Sequence, residues 1–573
     1  MKKMSGAEVP IRNEKQVSGE KSAALVLVGD SGLAADMGLR GKDLGLEGIR
    51  IKTDGHRLAI LGCDARPDGF GLRGTLYAAS TFLEKHLGVR WLWPGELGEV
   101  VPQRKTIEVG AIDESFTPPL RQRHIRNVGY NERVQGGLDK LGFTKEAFLA
   151  KQSEAENWFR HQRIGASMKL NYGHAYGKMW ERFGQDHPEW FALQPRGSRD
   201  QTKGGDRARL CKSNPALIAQ IAADVCEKMA ASPMLESVSI SPNDGGRMTF
   251  CFCPTCKAYD APEAEKVKLR GWAVDGAEGD WPSLTERHLT FYDRIAQIVG
   301  KKYPDRFLGA YAYSVYRTAP VRTAVEPNII IGFVGFGYLN DEARQKSREM
   351  WDGWRKAAKY LFLRPNLLGT GEGMPVVYAR KLAEDVRHCA ATGMIVTDFD
   401  CCYQHWATTG LQYYVLAKVL WDPKTDVDAV MDDYCRSGFG NAAEPVKRYF
   451  AALEKLTNDV AATNEYEGRK SNPDFFVKHY TDEFLSRCQG FLDDGKRLAT
   501  DDSMALKRLA FLGIAIKFAR LNRNAVVARA ALRSGETKDP KPSAEAAAAR
   551  DAFYKEIGLT WAINSPYLKF YGF

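Results

Sequence analysis

The chain has 573 residues, of which 44% are hydrophobic, 27% charged and 11% aromatic, and it carries a formal net charge of +10. That length exceeds one ordinary hydrophobic core and predicts two or more domains, with room for a barrel of roughly 250 residues. Basic and acidic residues are interspersed, which argues against nucleic acid as a partner, and there is no apolar run of about 18 residues to form a membrane span.

In chain order, AALVLVG (23–29) reads as a strand. GIRIKT (48–53) and RLAILGC (57–63) read as alternating strands joined at Asp54-Gly55, a hairpin signal. GTLYAASTFLEKHLG (74–88) is an amphipathic helix closed by a glycine, and TIEVG (106–110) a last strand. Residues 1–112 therefore form a small α/β domain, followed by a linker at 113–119 with paired prolines.

From 119 to 422, apolar strands alternate with helical stretches. The eight strand candidates are 123–128, 167–172, 189–193, 237–241, 307–313, 329–334, 360–365 and 393–399. Eight such alternations predict a (β/α)8 barrel. Beyond Asp422-Pro423 the spacing becomes three and four, so 423–573 is a helical C-terminal region.

The densest chemistry lies in SVSISPNDGGRMTFCFCPTC (237–256), where a strand ends at Pro242 and Asn243-Asp244 follow on a glycine turn. Barrel enzymes build their sites from such loops at the carboxyl ends of the strands. The same rim is predicted to gather Arg126, His174, Tyr311, Tyr313, Glu372, Asp398, Asp400, Tyr403, His405 and Trp406. Paired carboxylates and aromatic faces point to glycoside hydrolysis, with Asp244 as acid. Asn243 beside it suits orientation of a substrate acetamide acting as the nucleophile, the substrate-assisted exception to the two-carboxylate rule. Glu372 is a further catalytic candidate, and the other rim residues are substrate-binding candidates. The competing reading is that Asn-Asp-Gly-Gly is only a turn and the aromatic residues only core.

Cys251, Cys253 and Cys256 form C-x-C-x-x-C, one thiolate short of a structural zinc site, with Cys211 as a possible fourth. The expectation is reduced thiols or a disulfide. No metal and no cofactor is assigned, and the glycine-rich stretches do not match a phosphate-binding fingerprint.

GFGLRGTLYAASTFLEKHLGVRWLWPGELGEVVP resembles the N-terminal domain preceding the barrel in bacterial β-hexosaminidases and α-glucuronidases. HPEWFAL, RLCKSNP, the 237–256 block and YYVLAKVLWDPKTDVDAVMDDYC are similar to the bacterial family of domain of unknown function 4838, which underlies glycoside hydrolase family 163. The resemblance covers roughly residues 5–455. It implies a glycan hydrolase, most simply an N-acetylglucosaminidase acting on N-glycans, with Asp244 and Asn243 in the strand-four position. Two alternatives stand beside it. One is an exo-hydrolase of acidic sugars, with Arg126, Arg160, Arg163 and Arg364 as a carboxylate clamp. The other is a non-catalytic glycan-binding barrel. Relatives begin with a further strand and helix, so the resemblance also implies a start upstream of Met1 and export of the full-length protein, although MKKMSGAEVP itself has no signal-peptide pattern.

Overall fold

A computed structural model of the chain describes residues 1–17, 24–245, 247–269, 279–367, 373–467, 475 and 478–572. The N-terminal sheet contains β1 (Leu25–Val28), β2 (Ile49–Asp54), β3 (Arg57–Gly62) and β4 (Asp113–Phe116), in the order β1-β3-β2-β4. β2 and β3 pair antiparallel around Asp54-Gly55, where Gly55 takes the left-handed φ of 58° that the tight turn demands. Helix α1 (Gly74–Lys85) buries Tyr77, Ala78 and Phe82 against Ile49, Ile51 and Ile60. Residues 113–116, expected as linker, are thus the last strand of this sheet rather than a tether.

The second sheet has six strands, all parallel: β5 (Gln122–Asn127), β6 (Ser237–Ser239), β7 (Phe307–Ala312), β8 (Ile329–Phe333), β9 (Tyr360–Leu363) and β10 (Met394–Cys402). Their order is β5-β10-β9-β8-β7-β6. Helices α2 (Glu132–Leu141) and α3 (Lys145–His161) follow β5, and α4 (Pro215–Ala231) precedes β6. Then α5 (Thr285–Lys302), α6 (Asp341–Ala357), α7 (Ala379–Ala391) and α8 (Trp406–Trp421) cover the outside. This is a parallel half-barrel, and six of the eight expected strands are in it.

The other two expected strands differ. Residues 165–175 run between the two edge strands without a regular ladder. On one side Arg123 N donates to Gly165 O and Ser167 N to Arg121 O. On the other, Glu236 N donates to Lys169 O and Ala175 N to Ser241 O. The ladder is interrupted by side chains: Asn171 N donates to Ser237 Oγ, that hydroxyl returns to Asn171 O, and Asn171 Oδ1 accepts from Ser239 N. EWFAL (189–193) lies outside the sheet. Pro188–Trp190 is a 3-10 turn, Trp190 stacks on His187, and Phe191 pairs with Leu210. Its apolar spacing comes from packing within that loop excursion.

The sheet's inner face encloses a small core of Met168, Tyr311, Ile330, Phe362 and Val396. The Phe362 ring lies directly over Gly332, where an added Cβ would sit 2.1 Å from Cζ. A far larger outer core joins strands, helices and the C-terminal region.

That region holds α9 (Val427–Phe439), α10 (Ala443–Ala462), α11 (Asp482–Leu498), the 32-residue α12 (Ser503–Ser534), α13 (Lys541–Ile557) and α14 (Ser565–Phe570). Arg508 on α12 donates to the carbonyls of Leu97, Glu99 and Gly438, tying the helical region to the N-terminal domain. Among the described residues no helix is long and apolar enough to cross a membrane.

Gly332→Ala is expected to destabilise the fold by about 1–3 kcal/mol through overpacking, with part of the loss recovered in Gly332→Ala/Phe362→Leu. Urea unfolding reads this, and an unchanged midpoint in the single variant would show that the inner core is not packed as described.

Candidate active site

Along β5 the side chains of His124 and Arg126 share one face, the inner one, because successive strand residues alternate. Asp398 and Asp400 follow the same rule on β10, and Tyr311 on β7. These residues meet at the carboxyl mouth of the sheet. Asp398 is fully buried. Its carboxylate accepts a two-pronged bond from Arg126, at 2.8 Å from Nε and 2.6 Å from Nη2. His124 Nδ1 lies 3.0 Å from Asp398 Oδ1 and 2.8 Å from Tyr172 Oη. Arg364, just after β9, donates to Asp400 at 2.7 Å and lies 3.6 Å from Asp398. Burial acts to raise the Asp398 pKa, but the bonds from His124 and Arg126 and the guanidinium charge outweigh it. Asp398 therefore stays below the ordinary carboxylate range.

Tyr311 connects this floor to a second group. It accepts from Arg126 at 3.3 Å, lies under the Arg364 guanidinium, and meets the His174 ring edge-on at 5.7 Å. His174 Nε2 is 3.9 Å from Asp244 Oδ1, and Tyr313 Oη donates to the same oxygen at 3.4 Å. Burial lowers the His174 pKa, so the ring is neutral. Its Nδ1–H donates to Pro242 O, which leaves the Nε2 lone pair facing Asp244. Burial and the neighbouring Asp244 push the Tyr313 phenol up, so it remains a donor. Asp244 opens on a cavity of about 570 Å³ walled by Phe250, Tyr313, Tyr316, Met248, Arg209 and Arg317. Among the described residues lining it, Asp244 is the only carboxylate.

The structure thus brings together Arg126, His174, Asp244, Tyr311, Tyr313, Asp398 and Asp400. Four other expectations change. Asn243 is buried and its amide is spent on backbone: Oδ1 accepts from Tyr176 N, and Nδ2 donates to Tyr176 O and Ala208 O. It latches the loop and does not face the cavity with its amide. Tyr403, His405 and Trp406 turn away into the core. Tyr403 packs on Tyr567 and Trp406 on Trp158. His405 Nδ1 accepts from Asn564 N, and burial pushes its pKa down to about 3. Glu372 lies outside the described residues.

Sequence reasoning missed Arg209 and Phe250. Arg209 is buried, its charge lies over the Phe250 ring, and its Nη1 donates to Asn243 O at 2.6 Å. The available signal was its place two residues before Cys211, in the loop that packs against the cysteine block. Away from the cavity, Cys211, Cys251, Cys253 and Cys256 are the group of ligand-type side chains, among the described residues, that converge closely enough for a metal ion.

A family model described as a domain of unknown function (DUF4838) matches residues 93–451, and the chain belongs to that family. No curated protein matches the sequence. Among solved structures, the chain is similar to a family 89 glycoside hydrolase from Clostridium perfringens in complex with 2-acetamido-1,2-dideoxynojirmycin. The identity is 11% and the TM-score 0.47, over 89% of this chain and 61% of that one. It is also similar to a family 138 enzyme targeting pectin rhamnogalacturonan II, at 10% identity and a TM-score of 0.43 over 96% and 87% of the two chains. A third is the Flavobacterium johnsoniae chitobiase, at 11% identity and 0.34 over 90% and 87%. The chain spans about 61% of the length of the first of these.

The neighbours Asn243 and Asp244 should separate by readout. Asn243→Ala strands buried polar groups and is expected to cost about 1–3 kcal/mol. Asp244→Asn, at a side chain 45% exposed, should change stability by under about 0.5 kcal/mol. Equal urea midpoints for wild type and Asn243→Ala would contradict the latch. His405 has a folded pKa below its unfolded value of about 6.5, so its contribution is present above that pH. It is lost as pH falls from there toward 3. His405→Gln should unfold with a shallower loss of stability between about pH 7 and about pH 4.5 than wild type, and parallel losses would show the ring is not held neutral.

Proposed function

We propose that this DUF4838 member is a glycoside hydrolase that cleaves an N-acetylglucosaminide linkage in glycans, with Asp244 as general acid. The observation that carries the reading is the setting of Asp244. It is the carboxylate of the described cavity walls, it is half-exposed, it is hydrogen-bonded by Tyr313 and it lies among aromatic walls. Asp398 and Asp400, by contrast, are engaged by arginines and suit a positioning role.

An acid with no opposing carboxylate on the described walls fits participation by the substrate's own 2-acetamido group. In that reaction the acetamide oxygen bonds to the anomeric carbon as the glycosidic bond breaks. Asp244 gives its proton to the departing oxygen. Water then attacks the anomeric carbon and reopens the ring, and the Asp244 carboxylate takes the water's proton. The configuration is retained. Asn243, spent on backbone, is not the orienting group. Tyr313, which bonds Asp244, is the polar side chain of the same wall best placed to meet the acetamide. A sugar ring stacked on Phe250 or Tyr313 would place its linkage at Asp244.

The acidic-sugar alternative, as expected from the sequence, requires Arg126, Arg160, Arg163 and Arg364 to stand unpaired together at the mouth. Arg126 and Arg364 are already paired with Asp398 and Asp400. Arg163 is paired with Glu84, and Arg160 bonds Asn157 on the surface of α3. The four do not form one clamp.

Hydrolysis of an aryl β-N-acetylglucosaminide and of a complex N-glycan tests the proposal. Asp244→Asn and Asp244→Ala are expected to lower kcat by about 10²–10⁴-fold with the fold intact. Turnover within a few-fold of wild type would remove Asp244 from the mechanism. A wild type inert on both substrates would remove the substrate class.

A further inference from the structure

The loop from Ser241 to Cys253 supplies Asp244 and much of the cavity wall, yet it contains no regular secondary structure among its described residues. A segment of that length needs an ordering device. At its end, Cys251, Cys253 and Cys256 converge with Cys211 from the neighbouring loop, and all four are buried. The thiols are not in disulfides. Cys211 Sγ lies 3.8 Å from Cys253 Sγ and 3.9 Å from Cys256 Sγ, and all four sulfurs lie within 4.8 Å of one another.

A tetrahedral zinc–thiolate site with bonds of about 2.3 Å has sulfur–sulfur edges of about 3.8 Å. Two of the edges already have that length. The others require a contraction of about 1 Å at most, given the 4.8 Å limit.

The surroundings also suit thiolates. Leu193 N points at Cys251 Sγ at 3.3 Å, and Cys256 N at Cys253 Sγ at 3.4 Å. The second bond is the N-cap of the Pro254–Ala258 turn, which folds C-P-T-C into a knuckle. The Arg199 guanidinium donates to Phe191 O and lies close to Cys211, Cys251 and Cys253. Its charge opposes the double negative charge of a zinc ion with four thiolates. Metal sites are commonly built with such outer partners.

We propose that Cys211, Cys251, Cys253 and Cys256 bind one structural zinc ion through four thiolates, stapling the Asp244 loop to the loop of residues 191–211. Four thiol protons pass to solvent as four zinc–sulfur bonds form. With no open coordination position the ion takes no part in chemistry. Its effect is mechanical. It completes a lacing in which Phe252 N donates to Leu193 O and Gln194 exchanges bonds with the Thr249 backbone. Arg287 anchors the far side by donating to Cys251 O at 2.7 Å while paired with Asp260. The site replaces the expectation of reduced thiols or a disulfide, and it stands whether or not the cavity hydrolyses glycans.

The full chain, purified under reducing conditions and dialysed against metal-free buffer, is to be assayed for bound metals and for zinc X-ray absorption fine structure. One zinc per chain with an all-sulfur shell at about 2.3 Å is expected, with these four cysteines resisting alkylation until a strong chelator is added. Removal of the metal should raise amide exchange across 191–194 and 249–257 and leave β8 protected. Cys253→Ser/Cys256→Ser should lose the zinc. If that variant does not fold, the wild-type measurements decide. The proposal is overturned if reduced, folded wild type incubated with zinc sulfate and gel-filtered carries none. It is equally overturned by iron in place of zinc, by a native disulfide at any of the four cysteines, or by a folded double variant that keeps its zinc.

Discussion

A carboxylate with no exposed surface must be paired, and Asp398 is the one around which the mouth of the sheet is arranged. Its partners come from β5, where His124 and Arg126 reach it, and from the end of β9, where Arg364 approaches it. Removing one member of such a buried set leaves an uncompensated charge worth about 3–5 kcal/mol. The pairing therefore fixes how these strands are rotated about their axes. Tyr311, held between Arg126 and Arg364, carries that order across to His174 and so to Asp244.

This arrangement divides the cleft electrostatically. On the floor, two guanidinium groups and two carboxylates cancel, so the rigid part of the site offers shape and hydrogen bonds rather than net charge. On the wall, Asp244 stands near Arg209 and Arg317 with aromatic faces between them. A neutral ligand would meet no charge penalty on that floor, whereas the Asp244 carboxyl keeps its contact with solvent.

Strands that form a continuous buried sheet were legible because their apolar runs are short and rich in aromatic or β-branched residues, as in FLGAYAY and IIIGFV. EWFAL looked the same but packs on its own loop, and no local pattern distinguishes those environments. SMKLNY keeps a strand's place, but Asn171 and Ser237 insert side chains where the ladder would run, a tertiary effect. At the site, Asn243 and Asp244 are adjacent and similar in shape, and only the surrounding carbonyls decide which is spent on backbone. Tyr403, His405 and Trp406 followed Asp400 closely enough to be assigned to the rim. What covers the first two is Tyr567 on Tyr403 and Asn564 on His405, the latter 159 positions away, and Trp406 packs on Trp158, contacts that leave no mark on local sequence.

The same docking has a bearing on the order of synthesis. Trp406 N and Ala407 N donate to Trp561 O and Ala562 O, and Asn564 completes the turn by donating to Tyr403 O. When the ribosome has delivered β10 and α8, those donors have no partner, and the segment that satisfies them is still untranslated. A chain emerging from its N-terminus can assemble the parallel strands early, but the segment just beyond Asp400 waits for the last helices. Until then Tyr403 lacks the Tyr567 ring that covers it, so residues 561–567 set the moment at which the mouth of the sheet becomes rigid.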